Sequence, residues 1–162
     1  MEFRDLRADD HPFVLSLNNG ALPAVSGLTD VGLVALVAEC SHAIVAVADD
    51  GSLGGFCITL GPGAAYESLN YRWFAAHYDA FEYLDRIVVA TTARGTGIGA
   101  AMYDELEQRI AGAAPWLLCE VNVRPLNEGS LRFHHRIGFV EVGQQDTDGG
   151  TKRVSLLAKP LA

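Results

Sequence analysis

The sequence lacks any apolar run approaching the ~20 residues that a membrane-spanning helix needs. Its amino terminus, Met1 to Asp10, is dense in charge and has no apolar core, so no signal peptide is visible and a cytoplasmic location is expected. Cysteine is scarce. Cys40, Cys57 and Cys119 lie far apart in apolar stretches, with no CxxC spacing. That argues against a disulfide framework or a metal site and suits buried, reduced thiols. Positive charge is also in short supply: 12 Lys and Arg stand against 20 Asp and Glu, a net charge of −8. Nucleic acid and membrane surfaces are therefore not expected as partners. An anionic small molecule stays open, because a local helix terminus can outweigh a negative total. Repeats, low-complexity tracts and interdomain linkers are absent. What is present is 49% apolar and 20% charged, the balance of one globular domain over residues 1–162.

Phe3 and Leu6 suggest a first strand. Asp9 or Asp10 then offers an N-cap with Pro12 behind it, predicting a short helix to Asn18 that Gly20 and Pro23 stop. Thr29 or Asp30 caps a second helix, with Val31, Val34, Leu36 and Val37 as its apolar set. His42 to Ala48 and Leu53 to Leu60 read as a hairpin around Asp49-Asp50-Gly51-Ser52. Aromatic residues crowd residues 64–83, including Tyr71, Trp73 and Tyr83. They suit either a short helix plugging the core or the wall of an acceptor pocket. Ile87 to Ala90 shows no alternation, as in a strand covered on both faces. Ile98, Met102, Leu106 and Ile110 recur in steps of four, one buried stripe of a helix. Trp116 to Val123 is a further buried strand, and strand–helix–strand in this order implies a parallel crossover. The next helix runs from Pro125 and Asn127 to Gly138. Phe139 to Gln144 and Lys152 to Lys159 close the chain as a last hairpin.

Between the central strand and its helix lies Arg94-Gly95-Thr96-Gly97-Ile98-Gly99. A strand, a glycine turn and a helix start form a device for gripping phosphate: the glycines allow positive φ, and the helix start presents unpaired amides and the positive end of its dipole. One reading is a dinucleotide site of an oxidoreductase, since Gly95-x-Gly97-x-x-Ala100 matches G-x-G-x-x-G/A and Glu120 could serve as the ribose acid. Against it, Thr91-Thr92-Ala93-Arg94 separates strand from glycine, antiparallel hairpins flank the unit, and too little chain remains for a second half.

The same stretch resembles motif A of the GCN5-related N-acetyltransferases, Q/R-x-x-G-x-G/A. Asn127-Glu128-Gly129-Ser130-Leu131-Arg132-Phe133-His134-His135-Arg136-Ile137-Gly138-Phe139 resembles that family's second motif. The order of elements fits as well, over nearly the whole chain. The resemblance implies an α/β fold with a mixed, mostly antiparallel sheet of about seven strands, a central parallel pair splayed for the cofactor, and about four flanking helices. It implies an acetyl-CoA-dependent transfer to a primary amine of a small molecule or peptide, and no metal. Backbone groups of Ile87, Val88 and Val89 would bond the pantetheine arm and polarise the thioester. Amides from Gly95 to Ala100, with Thr96, Ile98 and Gly99 among them, would hold the pyrophosphate and Arg94 would add charge. Asn127 and Ser130 would meet the pantetheine pocket. Tyr71, Trp73, Tyr83 and Glu120 are the candidate acceptor residues.

The family's familiar base glutamate falls at about Tyr83, where this chain departs. Glu82, Asp85 and Glu120 are the candidate bases, with an Asp85–Arg86 ion pair as the structural alternative. His134 takes the place of a tyrosine that protonates the leaving thiolate; alternatively it only packs. Cys119, without a basic neighbour, reads as core. Pairing into a homodimer is a further expectation of the resemblance, and a non-catalytic acyl-CoA-binding module is a further alternative.

Overall fold

The computed structural model describes residues 1–162. Seven strands form one sheet: β1 (Glu2–Asp5), β2 (His42–Val47), β3 (Leu53–Leu60), β4 (Glu82–Val89), β5 (Trp116–Arg124), β6 (Val140–Thr147) and β7 (Lys152–Pro160). Their order across the sheet is β1-β2-β3-β4-β5-β7-β6. Every neighbouring pair is antiparallel except β4 and β5. Five helices flank it, one more than the resemblance implied: α1 (His11–Asn19), α2 (Asp30–Glu39), α3 (Leu69–His77), α4 (Ile98–Ile110) and α5 (Glu128–Arg136).

The sheet has a core on each face. Val14 of α1, Leu33 and Leu36 of α2, and Tyr71 and Phe74 of α3 pack on one side. The stripe Ile98, Met102, Leu106 and Ile110 of α4 packs on the other, beside Phe139. Each of those side chains contributes about 1.5–3 kcal/mol by leaving water. Two local expectations change. Thr29 does cap α2, accepting from the Gly32 amide at 3.0 Å, but Val31 and Val34 face solvent. Leu36 of the expected set does turn inward, joined by Leu33, and Val37 is partly buried against the same core. Asp10 does not cap α1 with its side chain. Its carboxylate accepts from the Arg7 amide at 2.8 Å and from the Arg4 guanidinium at 2.7 and 2.9 Å, which fastens β1 to the start of α1.

One irregularity in β4 decides which of its side chains share a face. Thr59 pairs with Leu84 and Ile58 with Arg86, so Asp85 is an extra residue on β4. Such a bulge resets side-chain alternation. Tyr83 and Val88, five positions apart, consequently share one core, which an unbroken strand would forbid.

Candidate active site

The parallel strands β4 and β5 pair at only two positions, Glu82 with Leu117 and Tyr83 with Leu118. Beyond Tyr83 and Leu118 they separate, leaving backbone donors and acceptors of both without a strand partner. A cleft of about 570 Å³ occupies the gap. Leu84 to Ile87 form one wall and Cys119 to Asn122 the other. Pro23 to Ser26, Tyr66 to Asn70, and Asn127, Ser130 and His134 from the start and face of α5 also line it.

Two of the carboxylates that line the cleft, Asp85 and Glu120, stand on the parted strands, and their surroundings differ. Asp85 accepts from Arg86 Nε at 2.7 Å and from the Tyr66 hydroxyl at 2.6 Å. The Asp85–Arg86 ion pair is therefore present and nearly dry. Arg86 also donates to Asn18 Oδ1, the Ser26 carbonyl and Ser26 Oγ at 3.0–3.1 Å, fastening the loop between α1 and α2 to β4. Glu120 has no cation beside it. Both its oxygens accept from the Tyr83 hydroxyl, at 2.9 and 2.8 Å. Removal from water and then the charge of Asp85 push its carboxyl up to about 8. The two acids thus differ in state: Asp85 is locked in an ion pair, while the Glu120 carboxyl is raised by burial toward neutral pH.

Glu82 lies outside the cleft. It accepts from Thr59 Oγ1 at 2.6 Å and from the Ser41 hydroxyl, on the far side of the strand pairing, and so does not join the acids at the gap. Tyr71 and Trp73 also lie elsewhere. Tyr71 donates to the Gly61 carbonyl at 2.6 Å and accepts from the Ala64 amide, so it anchors the β3–α3 connection. Trp73 stacks on His77 with ring centroids 3.8 Å apart and covers Gly143. The aromatic segment is thus mainly a core plug; Tyr66 is its contribution to the cleft. Tyr83 is fully buried beneath Glu120 and reaches the site through its hydroxyl alone.

His134 Nδ1 sits 2.7 Å from the Ser130 carbonyl, an acceptor, so Nδ1 carries a proton. Burial holds the imidazole below its usual pKa and favours the neutral ring. Nε2 is then an acceptor, and the Tyr103 hydroxyl of α4 donates to it at 2.6 Å. His134 is a linked group, its two nitrogens engaged by α4 and α5, and Tyr103 is a cleft residue that sequence reasoning missed. Cys119 lies in the same wall; burial pushes its thiol well up, the condition of an inert core cysteine.

The glycine turn follows the end of β4. Thr91–Ala93 makes one 3-10 turn, and Gly95 and Gly97 come next with φ of 77° and 84°. No side chain caps α4, which leaves its first amides free for an anion. A Cβ on Gly99 would lie 3.8 Å from Val89 and 3.9 Å from Phe133, which places the helix start between the end of β4 and α5. Arg94 is exposed there. Of the residues assigned to the pantetheine arm, Ile87, Asn127 and Ser130 line the cleft, while the Val88 side chain points into the opposite core. Asn127 caps α5 by accepting from the Ser130 amide at 3.4 Å.

The fold is thus a seven-stranded mixed sheet opened at its one parallel pair, with an uncapped helix start after β4. The family model for the acetyltransferase (GNAT) domain matches residues 66–156. The chain belongs to that family. No curated protein sequence matches it, but solved structures share its fold. The ribosomal-protein-S18-alanine N-acetyltransferase from Escherichia coli superimposes with a TM-score of 0.71 at 19% identity, over 99% of this chain and 94% of that one. Chaetomium thermophilum Naa20, solved with a bisubstrate analogue, gives 0.75 at 19% identity, over 99% and 87%. A nourseothricin acetyltransferase gives 0.67 at 20% identity, over 99% and 98%. No helix is long and apolar enough to cross a membrane, and no cluster of His, Cys, Asp and Glu could hold a metal ion.

Proposed function

We propose that this protein transfers an acetyl group from acetyl-CoA to a primary amine by direct attack on the thioester, with Glu120 as the base. The observation that carries this reading is the gap itself: β4 and β5 part immediately after Tyr83 and Leu118, and Glu120 stands in the opening without a cation. The unpaired edge of β4 fits an extended arm carrying amides, and the free amides at the start of α4 fit a pyrophosphate. The bound thioester would supply an activated acyl carbon.

The rest falls to residues of the chain. An acceptor enters as an ammonium and must lose a proton before its lone pair can attack. Glu120, ionised, accepts that proton, directly or through one water. Tyr83 holds both carboxylate oxygens and so keeps the base aimed. Four carboxylates against two cations line the cleft, a negative balance that favours the entering ammonium. The C–N bond forms as the C–S bond breaks, the nitrogen releases its second proton to solvent, and the departing thiolate takes up a proton. Tyr103 and His134, hydrogen-bonded to each other in the cleft wall, are the protein groups we assign to that step. The three free cysteines suit the reducing cytoplasm.

Calorimetric titration with acetyl-CoA and with NADH, followed by thiol release on an amine panel, tests the proposal. Saturable acetyl-CoA binding and amine-dependent thiol release are expected. Binding of NADH alone would sink it, and acetyl-CoA binding without thiol release on any amine would leave only a binding module.

A further inference from the structure

The charges around the cleft restrict what stands next to the acceptor's amine. Six acidic or basic side chains besides His134 line it: Glu67, Asp85, Arg86, Glu120, Asp148 and Lys152. Only two are cations, and both are taken. Arg86 is 4% exposed. Its guanidinium is spent on Asp85, Asn18 and Ser26. Lys152 lies 3.3 Å from Asp148, at the hairpin end of the cleft. No cation can swing in from the loop that closes the opposite side. Pro23 to Ser26 carry no charge, and that loop is fastened by Arg86, by Asn18 Nδ2 to the Ser26 carbonyl and by Asn122 Nδ2 to the Pro23 carbonyl, both at 2.9 Å. The chain holds only two lysines in all, Lys152 and Lys159, and Lys159 is paired with Glu107 on α4, away from the cleft.

A carboxylate or phosphate beside the reacting amine would have to leave water for a cleft with no free cation and with Glu120 and Asp85 in its walls. Desolvation and like-charge repulsion both oppose that. Neutral hydrogen-bonding partners are available instead. Ser26 and Ser68 supply hydroxyls, and Asn70 and Asn122 supply carboxamides. The orientation of Asn70 is set by Gln145 Nε2, which donates to its Oδ1 at 2.9 Å.

We infer that the acceptor is a primary amine whose immediate neighbours are neutral amide or hydroxyl groups, not a free amino acid or any amine with an adjacent anion. This inference rests on the acetyl-transfer reading and narrows its substrate class. The test compares kcat/KM for thiol release with alanine, alaninamide, the dipeptide amide Ala-Ala-NH2 and glucosamine at fixed acetyl-CoA. Rates are carried to the high-pH plateau, where differences in amine pKa drop out. Alaninamide should exceed alanine by at least about tenfold. Among the neutral-flanked amines, a lead for the dipeptide amide would identify a peptide source and a lead for glucosamine a sugar source. The variant Ala24→Arg, which adds a cation at an exposed cleft position, should narrow the alanine–alaninamide ratio. Acetyl-CoA binding is measured in parallel by calorimetry. If acetyl-CoA binds and alanine is used as well as alaninamide, or none of the three neutral-flanked amines turns over, the inference is overturned while the cofactor assignment stands. If acetyl-CoA does not bind, the functional reading beneath it falls.

Discussion

At the residue scale the molecule turns on one carboxyl. As the proposed base Glu120 would work only when ionised, so activity should climb with pH through about 8, the value to which burial and Asp85 raise it. The Tyr83 hydroxyl bonds the charged form and pulls the other way, so Tyr83→Phe should move the midpoint of the pH–rate profile upward. A midpoint that stayed in place would remove Tyr83 from the site. Glu120→Gln should lower kcat by roughly 10²–10⁴, the usual contribution of a general base. Stability runs opposite to activity. A carboxyl whose folded value lies near 8, against 4.5 when free, favours folding while protonated. That stabilisation is complete below about 4.5 and is lost as pH rises through about 8. Glu120→Gln should therefore melt higher than the parent at pH 9 and gain little at pH 5; thermal scans at the two pH values check it.

At the scale of elements, two glycines do different work. Gly97 precedes α4 with φ 84°, and a Cβ there would meet no protein atom within 4 Å. Gly97→Asp should thus fold, at a cost of about 1–2 kcal/mol for the left-handed backbone, yet lose coenzyme A binding in a titration because it puts bulk and negative charge at the anion site. Gly55 in β3 is the reverse case. Its Cβ would lie 2.7 Å from the Val88 carbonyl oxygen and 3.3 Å from Met102 Sδ. Gly55→Ala should destabilise by about 1–3 kcal/mol through overpacking, read as a lower denaturation midpoint. The bulge at Asp85 belongs to this scale too: the extra residue lets Tyr83 and Val88 share a core while Asp85 and Ile87 reach the cleft.

The whole molecule is a sheet clamped between two helical layers, with its only parallel contact two residue pairs long. The cleft is thus an opening within the central sheet, and a ligand filling it would take the place of a missing strand pairing. Coenzyme A at 100 times its Kd should stabilise the fold by about 2.7 kcal/mol, a rise of roughly 5–10 °C in Tm for a domain of this size. Gly97→Asp should abolish most of that rise, a result differential scanning fluorimetry can read directly. The net charge of −8 does not oppose an anionic ligand at α4, where free amides and the nearby Arg94 set the local field.

Local order and the family itself were legible in the sequence, because their signals are short-range. The four-residue stripe of α4, the hairpin of β2 and β3, the cap at Thr29 and the glycine turn each depend on residues a few positions apart. The acceptor side was not, because it is assembled from distant segments. Tyr71 and Trp73 carry the same aromatic signal as Tyr66, yet only Tyr66 borders the cleft; the direction in which α3 docks decides that. Glu82, Asp85 and Glu120 look alike as acids on apolar strands. The register of β4 against β3 and the parting of β4 from β5 turn Glu82 toward Thr59, tie Asp85 to Arg86 and leave Glu120 alone above Tyr83. Sequence by itself determined that Gly95 to Ala100 form a turn suited to an anion at a helix start. Which carboxyl is poised to exchange a proton was decided only by tertiary structure, since a pKa is set by burial and neighbouring charge, and neither is a property of residues adjacent along the chain.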